Sequence, residues 1–267
     1  MKSIRHPILI LVVAALFGLA CGLPVGLLEE SRPPTPTAAQ QAPLATNTPA
    51  VVSTELVPLP AFPEIKTETI KEESKTPPSP YVIDLEYPVF SGGPDGAADG
   101  PNQVVSELVA RQRAAFEEMV KTTPVMDQAG PHGLQMRYEV RQNDGKYISL
   151  FFNLSSYSSG AAHPLPYSET INYSVAQQRV LALEDLFQPG SDYLGVISQK
   201  CLAWLQSQNI TGGEAGAAPT PENYRNWNIT PDGLVITFDP YQVAAYAMGY
   251  VTVTIPWAEL QDILSLD

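Results

Sequence analysis

Hydrophobic and polar positions divide the chain into three regimes. Ile8 to Ala20 is an uninterrupted run of apolar and small residues, preceded by a short segment that carries Lys2 and Arg5. A basic stretch followed by an apolar run too short for an ordinary membrane span has the form of a signal segment. From Gly22 to Pro80 no helical or alternating period is sustained, and Pro, Thr, Ala and Ser accumulate, as in Pro33-Pro34-Thr35-Pro36-Thr37 and Pro77-Pro78-Ser79-Pro80. Such composition favours extended chain and reads as a tether. Within it, Lys66–Lys75 is mixed in charge and reads as solvated, with at most a transient helix. Beyond Pro80 regular periods take over.

Tyr81–Phe90 reads as a first strand and Gly92–Gly100 as a turn-rich loop. Asn102–Thr122 follows as a helix whose Val105, Leu108, Val109, Phe116, Met119 and Val120 share one stripe. Leu134, Met136, Tyr138 and Val140 alternate with polar neighbours, which predicts a strand with one wet face. Asp144-Gly145 supplies a hairpin turn. The return strand puts Ile148, Leu150, Phe152 and Leu154 inward and Tyr147, Ser149, Phe151 and Asn153 on its other face. Ile171, Tyr173 and Val175 mark a strand running on to Val180-Leu181 and a helical turn, Leu183–Phe187. A second helix spans Asp192–Gln208, with Leu194, Ile197, Cys201 and Leu205 on one side. After a loose loop at Gly212–Pro221, Trp227 and Ile229 pair with Leu234, Ile236 and Phe238 about the turn Pro231-Asp232-Gly233. Val251, Val253 and Ile255 form a last strand, and Pro256 opens a short C-terminal helix, Trp257–Leu264. The predicted class is α+β: antiparallel hairpins, a long helix after the first strand, a second central helix and a short terminal one.

Composition narrows the chemistry. The 267 residues include 15 Lys+Arg against 28 Asp+Glu, a net charge of −13, which disfavours nucleic acid as a partner. Twelve of the 26 prolines fall in Gly22–Pro80. Two cysteines cannot build a disulfide framework or a Cys-rich zinc site, and His132 and His163 are far apart in sequence, so no metal or cofactor is expected. Cys201 lies on the apolar stripe of its helix and reads as a buried thiol. Cys21 follows Gly18-Leu19-Ala20, which resembles the lipobox of bacterial lipoproteins, with Gly18 where Leu is usual. That resemblance implies a signal peptide at 1–20, then a lipidated Cys21 heading a tether over 21–80. The protein would then be extracytoplasmic, anchored to the bacterial cell membrane; the alternatives are an ordinary cleaved signal peptide and an uncleaved short anchor.

The reactive residue types are few. His163 sits in Gly160-Ala161-Ala162-His163-Pro164, and Ser158 or Ser159 could serve beside it as a nucleophile. A triad also needs an orienting carboxylate and an oxyanion hole, which the spacing does not supply, so a turn-shaping or ligand-contact role is favoured. Asp84, Glu86, Glu184, Asp185 and Asp239 are candidates for paired carboxylates, although most carboxylates in an acidic chain are solvated. Of the late aromatic residues, Trp227 and Trp257 read as core, while Tyr241 and Tyr246 read as surface. Gly249 would let their loop turn sharply.

Three stretches, in order and spacing, resemble the extracellular domain family of RsiV-type anti-sigma factors and the accessory region of PdaC-type peptidoglycan deacetylases. They are Ile148-Ser149-Leu150 onward to Tyr157 and Gly160–Pro164; Leu183-Glu184-Asp185-Leu186-Phe187; and Leu234–Gly249 with Val253-Thr254-Ile255-Pro256-Trp257. The resemblance divides the folded part into a PdaC-like portion, 81–165, and an RsiV-like portion, 166–267. It implies an envelope domain that binds a cell-wall glycan or a wall-acting protein such as lysozyme through Gly160, His163, Pro164, Asp239, Tyr241, Tyr246 and Gly249. Ala244-Ala245-Tyr246 stands where the family commonly has Ala-Pro-Tyr. No sigma factor is expected as a partner, because only Met1–Pro7 precedes the apolar run. Thr237-Phe238-Asp239-Pro240 matches the deacetylases' metal motif only as far as Asp239, so their catalytic chemistry is not implied. Binding rather than catalysis is the leading expectation, with a weak hydrolase using carboxylates or Ser and His163, acting on wall or ester substrates, as the alternative.

Overall fold

The computed structural model describes residues 63–266 apart from 77, 94, 95 and 127. The signal segment, Cys21 and most of the expected tether lie outside the described residues. A six-stranded sheet is built from β1 (Glu64–Ser74), β2 (Tyr81–Ser91), β3 (His132–Asn143), β4 (Tyr147–Tyr157), β5 (Leu165–Ser174) and β6 (Arg179–Val180), in that spatial order. A second sheet orders β7 (Trp227–Ile229), β8 (Gly233–Phe238) and β9 (Val251–Pro256). With α1 (Asp99–Thr122) and α2 (Tyr193–Ser207) the fold is α+β.

Two apolar clusters hold these elements. Helix α1 lays Val105, Leu108, Phe116 and Val120 on one face of the first sheet, against Ile83, Leu85, Met136, Leu150, Phe152 and Leu154. Each such side chain contributes about 1.5–3 kcal/mol on burial. The α1 entry is pinned by Asn102, whose Oδ1 accepts from the Phe90 N–H and whose Nδ2 donates to the Phe90 carbonyl, both at 2.8 Å. Around the second sheet, Ile197, Cys201 and Leu205 of α2 pack with Leu234, Ile236, Phe238, Val253 and Ile255. Burial pushes the Cys201 thiol up to about 12, so it is an inert core group.

Several expectations change. The tether does not extend to Pro80, because Glu64–Ser74 pairs with β2 along its whole length. No residue of this strand is fully buried, and Ile65 and Ile70 are its apolar contacts to the core, so it carries no strong alternation to read. Its mixed Glu and Lys residues blunt a sheet edge. Strands β2 and β3 are parallel rather than part of a hairpin, joined by the α1 crossover. Val180 belongs not to a continuation of the preceding strand but to β6, which turns back antiparallel on β5. The loop after α2 contains short 3₁₀ turns at Glu214–Ala217 and Pro221–Tyr224. The terminal helix is a single 3₁₀ turn, Trp257–Glu259. Beyond it the chain spends its hydrogen bonds on a neighbouring segment: Gln188 N–H donates to Ile263 and Ser265 N–H to Leu186.

The second sheet covers the face of β4 opposite Ile148, Leu150, Phe152 and Leu154, and the adjoining face of β5. Ser149, Phe151, Ser168 and Asn172 are buried on it, beneath β7. The Asn172 side chain donates to the Trp227 carbonyl at 2.7 Å and accepts from the Ile229 N–H at 3.1 Å. It also accepts from Ser149 Oγ, while Asn228 donates to Ser149 Oγ and to the Leu150 carbonyl. The Asn172 amide thus takes the place of a peptide on a neighbouring strand and closes the free edge of β7. Asn172→Ala leaves a buried N–H and a buried carbonyl unpaired, and is expected to cost about 3 kcal/mol in urea unfolding.

A second polar anchor sits at the start of the 3₁₀ turn Leu183–Leu186. Asp185 accepts two bonds from the Arg179 guanidinium and one from the Ala182 N–H. The Arg179 hydrogen bond, ahead of the Ala182 N–H, holds the Asp185 carboxyl below its ordinary value. Its contribution to stability is present above the ordinary carboxylate pKa and is lost as pH falls through the depressed one. The stability gap between the native chain and Asp185→Asn is therefore expected to close as acid unfolding is followed below about pH 4.

Candidate functional site

Two loops meet at one end of β4 and β5. The first, between β4 and β5, carries Gly160, His163 and Pro164; the second, between β8 and β9, carries Tyr241, Tyr246 and Gly249. The His163 ring stacks on Tyr246 with centroids 4.2 Å apart, and Tyr246 lies against Tyr241 at 5.3 Å. The three rings form a short ladder. His163 Nδ1–H donates to the Pro164 carbonyl at 2.8 Å, and the Tyr246 hydroxyl donates to the same oxygen at 3.3 Å. Pro164 therefore ties the two loops together.

The ladder is open to solvent. His163 is exposed and Tyr241 is 60% exposed. Met126, Leu165 and Met248 are also largely exposed. Leu165 adjoins Pro164 in the chain, Met248 lies two residues past Tyr246, and a Cβ on Gly160 (φ +84°) would collide with the Met126 sulfur. Clustered apolar exposure of this kind marks binding surfaces on folded proteins.

Backbone strain falls on one rung. The Gln242 N–H donates to the Asp239 carbonyl at 3.0 Å, closing a turn over Pro240 and Tyr241. Tyr241 has φ +73°, the third position of a type II turn, where glycine is the usual residue. A tyrosine there costs about 1–2 kcal/mol against glycine. Gly249 follows the turn Tyr246–Met248 with φ +66° and ψ −146°, a conformation open essentially to glycine.

Asp239 is placed near this loop but not in the ladder. It is buried, and its Oδ1 accepts from the Ser168 N–H at 2.9 Å and from Ser168 Oγ. Its Oδ2 accepts from Arg225 at 2.6 Å and weakly from Asn226. Both oxygens are occupied in joining β5 to the base of the loop, so this carboxylate positions the ladder. Tyr250, near it, shares its hydroxyl between Asn153 Oδ1 and the Tyr167 carbonyl. Burial, followed by the charge of Asp239, pushes its pKa up.

The geometry offers little to a serine nucleophile. Among the described residues no serine hydroxyl is hydrogen-bonded to a histidine nitrogen. Ser159 is buried beside the other histidine: its N–H donates to His132 Nδ1 at 3.1 Å, and His132 Nε2–H donates to the Thr123 carbonyl at 2.9 Å. His132 thus stitches the loop after α1 to the loop after β4. The other carboxylates are dispersed: Asp84 and Glu86 share Arg137, and Asp185 holds Arg179. No cluster of three or more His, Cys, Asp or Glu residues suited to a metal ion occurs among the described residues. Trp227 is buried, whereas Trp257 is half-buried with its indole N–H on the Thr230 carbonyl.

Sequence reading singled out both loops but not Met126, Arg225, Asn226 or Ser168. Each is brought in by strand register or loop closure and has no local pattern to betray it. Asp239→Ala is expected to cost about 2 kcal/mol in thermal or urea unfolding, since it strands a buried Ser168 N–H and hydroxyl.

Comparisons with known proteins follow the same outline. The chain is 24% identical over 208 residues to the peptidoglycan-N-acetylmuramic acid deacetylase PdaC of Bacillus subtilis, covering 76% of this chain and 42% of that protein. It is 25% identical over 187 residues to the esterase Rv3036c of Mycobacterium tuberculosis, covering 66% of this chain and 75% of the esterase. A crystal structure of a DUF3298 family member from Bacteroides fragilis superposes with a TM-score of 0.57 at 17% identity, covering 78% of this chain and 95% of that one, which shows a shared fold. Residues 184–258, which contain the Tyr241–Tyr246 loop, match the family described as "Protein of unknown function (DUF3298)".

Proposed function

We propose that this chain is a bacterial cell-envelope protein whose ring ladder recognises a wall glycan or a wall-acting protein such as lysozyme. In this reading it is an RsiV-like ligand-binding domain held to the membrane through a lipidated Cys21. The observation that carries the reading is Tyr241, a large aromatic residue kept in a left-handed turn position that glycine would fill with less strain. Strain retained at an exposed aromatic surface is accounted for by what the ring touches. Stacked rings beside a polar loop suit the apolar face of a sugar or a protein side chain equally. Similarity to a peptidoglycan deacetylase adds support for a wall setting. Among the described residues no helix is long and apolar enough to cross a membrane.

The experiment is binding of the chain to purified peptidoglycan and to lysozyme, with unfolding measured on the same samples. Tyr241→Gly is expected to raise stability by about 1 kcal/mol. The same change should weaken binding to whichever ligand is recognised at least about tenfold, as should Tyr246→Ala. Absence of binding to both ligands, or full binding by both variants, would overturn the reading. The similarity to an esterase favours the hydrolase reading: turnover of a p-nitrophenyl ester that disappears in a folded His163→Ala variant would support it instead.

A further inference from the structure

The chain enters β1 from Pro63, which is buried. The Pro63 carbonyl accepts from Asn143 Nδ2 at 3.2 Å, and Asn143 ends β3 at the hairpin end of β4. Asn143 also stands on the wall of an open groove of about 760 Å³. Val140, Tyr147, Pro231, Trp257, Leu264 and Leu266 supply apolar and aromatic surface to the same groove. Val140 is 41% exposed, Pro231 is exposed, and Trp257, Leu264 and Leu266 are half-buried. Apolar side chains therefore face solvent together, beside the point where the chain arrives, and contiguous exposure of this kind marks docking surfaces. Arg141 at the rim is paired with Glu139 at 2.8 Å and so demands no anion.

The residues that precede Pro63 are Leu56-Val57-Pro58-Leu59-Pro60-Ala61-Phe62, which lie outside the described residues. They carry no charge and include Leu56, Val57, Leu59 and Phe62, whereas Pro33–Pro49 has Leu44 as its one large apolar residue. Pro58, Pro60 and Pro63 bias the residues before them towards extended backbone. A polyproline helix has three residues per turn, so in that conformation Leu56, Leu59 and Phe62 share one face. Segments of this type lose little entropy on docking and suit aromatic-lined grooves. Phe62 is one peptide bond from Pro63, ~3.8 Å between Cα atoms, so the segment starts at the groove. No long loop has to close to seat it.

We propose that this groove is the docking site for residues 56–62 of the same chain, with Leu56, Leu59 and Phe62 laid against Trp257, Leu264 and Leu266. The groove offers apolar and aromatic contact, and the segment supplies an uncharged apolar stripe from a fixed starting point. A segment seated there keeps to the hairpin end of β4. The loops of the ring ladder follow the opposite end of that strand, roughly 35 Å away along its eleven residues. Docking thus leaves the rings uncovered by this segment. The proposal does not depend on what the ring ladder binds.

The test is NMR of the full chain with labelled methyl groups. Nuclear Overhauser contacts are expected from Leu56 and Leu59 to the Trp257 indole and to the Leu264 and Leu266 methyl groups. Leu56→Asn combined with Leu59→Asn changes neither apolar cluster of the fold. It should shift the Trp257 indole N–H signal and the Leu264 and Leu266 methyl signals, and leave those of Tyr241 and Tyr246 in place. Absence of contacts from both Leu56 and Leu59, or an unmoved Trp257 signal in the double variant, would overturn the proposal. Contacts that arise only between differently labelled copies would overturn it too, by assigning the groove to the segment of a second copy.

Discussion

The fold depends on a side-chain amide acting as a strand. Strand β7 is three residues long and pairs with β8 along one edge. Its other edge would leave buried peptide groups unpaired beneath β4 and β5. Asn172 supplies the missing donor and acceptor in the geometry of a peptide group. Ser149 and Asn228 complete the junction, so the two sheets are joined by hydrogen bonds where a sandwich would ordinarily use interlocking apolar side chains. Asn102 performs the same substitution for Phe90, where α1 leaves the end of β2. Polar surrogates of this kind demand a narrow geometry, and that rigidity is what the loops inherit.

The ring ladder sits at the end of this junction. Ser168 lies on the same face of β5 as Asn172, and it holds Asp239, from which the Pro240–Tyr241 turn departs. A chain of buried polar contacts therefore runs from the sheet interface to the base of the exposed rings. The strained backbone of Tyr241 is tolerable because both ends of its turn are anchored, by Asp239 on β5 and by the Gln242 side chain on the Gly216 and Asn223 carbonyls. At the other end of β4, Arg141 Nε, Gln142 Oε1 and Asn143 Oδ1 are buried without a hydrogen-bond partner beside the bulge in β3.

Much of this was legible before any coordinates. Helix α1, the hairpin at Asp144-Gly145, helix α2 and the β7–β8 turn lie where periodicity and turn residues put them, since each is specified by neighbours a few positions away. The loops at Gly160–Pro164 and Tyr241–Gly249 stand out by their glycine, proline and aromatic content. Strand β1 was not legible: it is held by backbone pairing with β2 and buries little, so its composition matches that of solvated chain. The parallel pairing of β2 and β3 was equally hidden, because nothing in either strand records the direction of its neighbour.

The division is clearest on the second face of β4 and β5. Alternation places Ser149 on the face of β4 opposite Ile148, Leu150, Phe152 and Leu154, because side-chain direction in a strand follows from local geometry alone. It does not record whether water or protein meets that face. Only the packing of β7 set protein there, against Asn172 and its partners, since a polar group is equally satisfied by solvent or by a matching peptide. The same holds for His163, whose place in a tight loop is written locally. Its stacking on Tyr246, across 83 residues of chain, exists because two loops from different sheets end at the same edge.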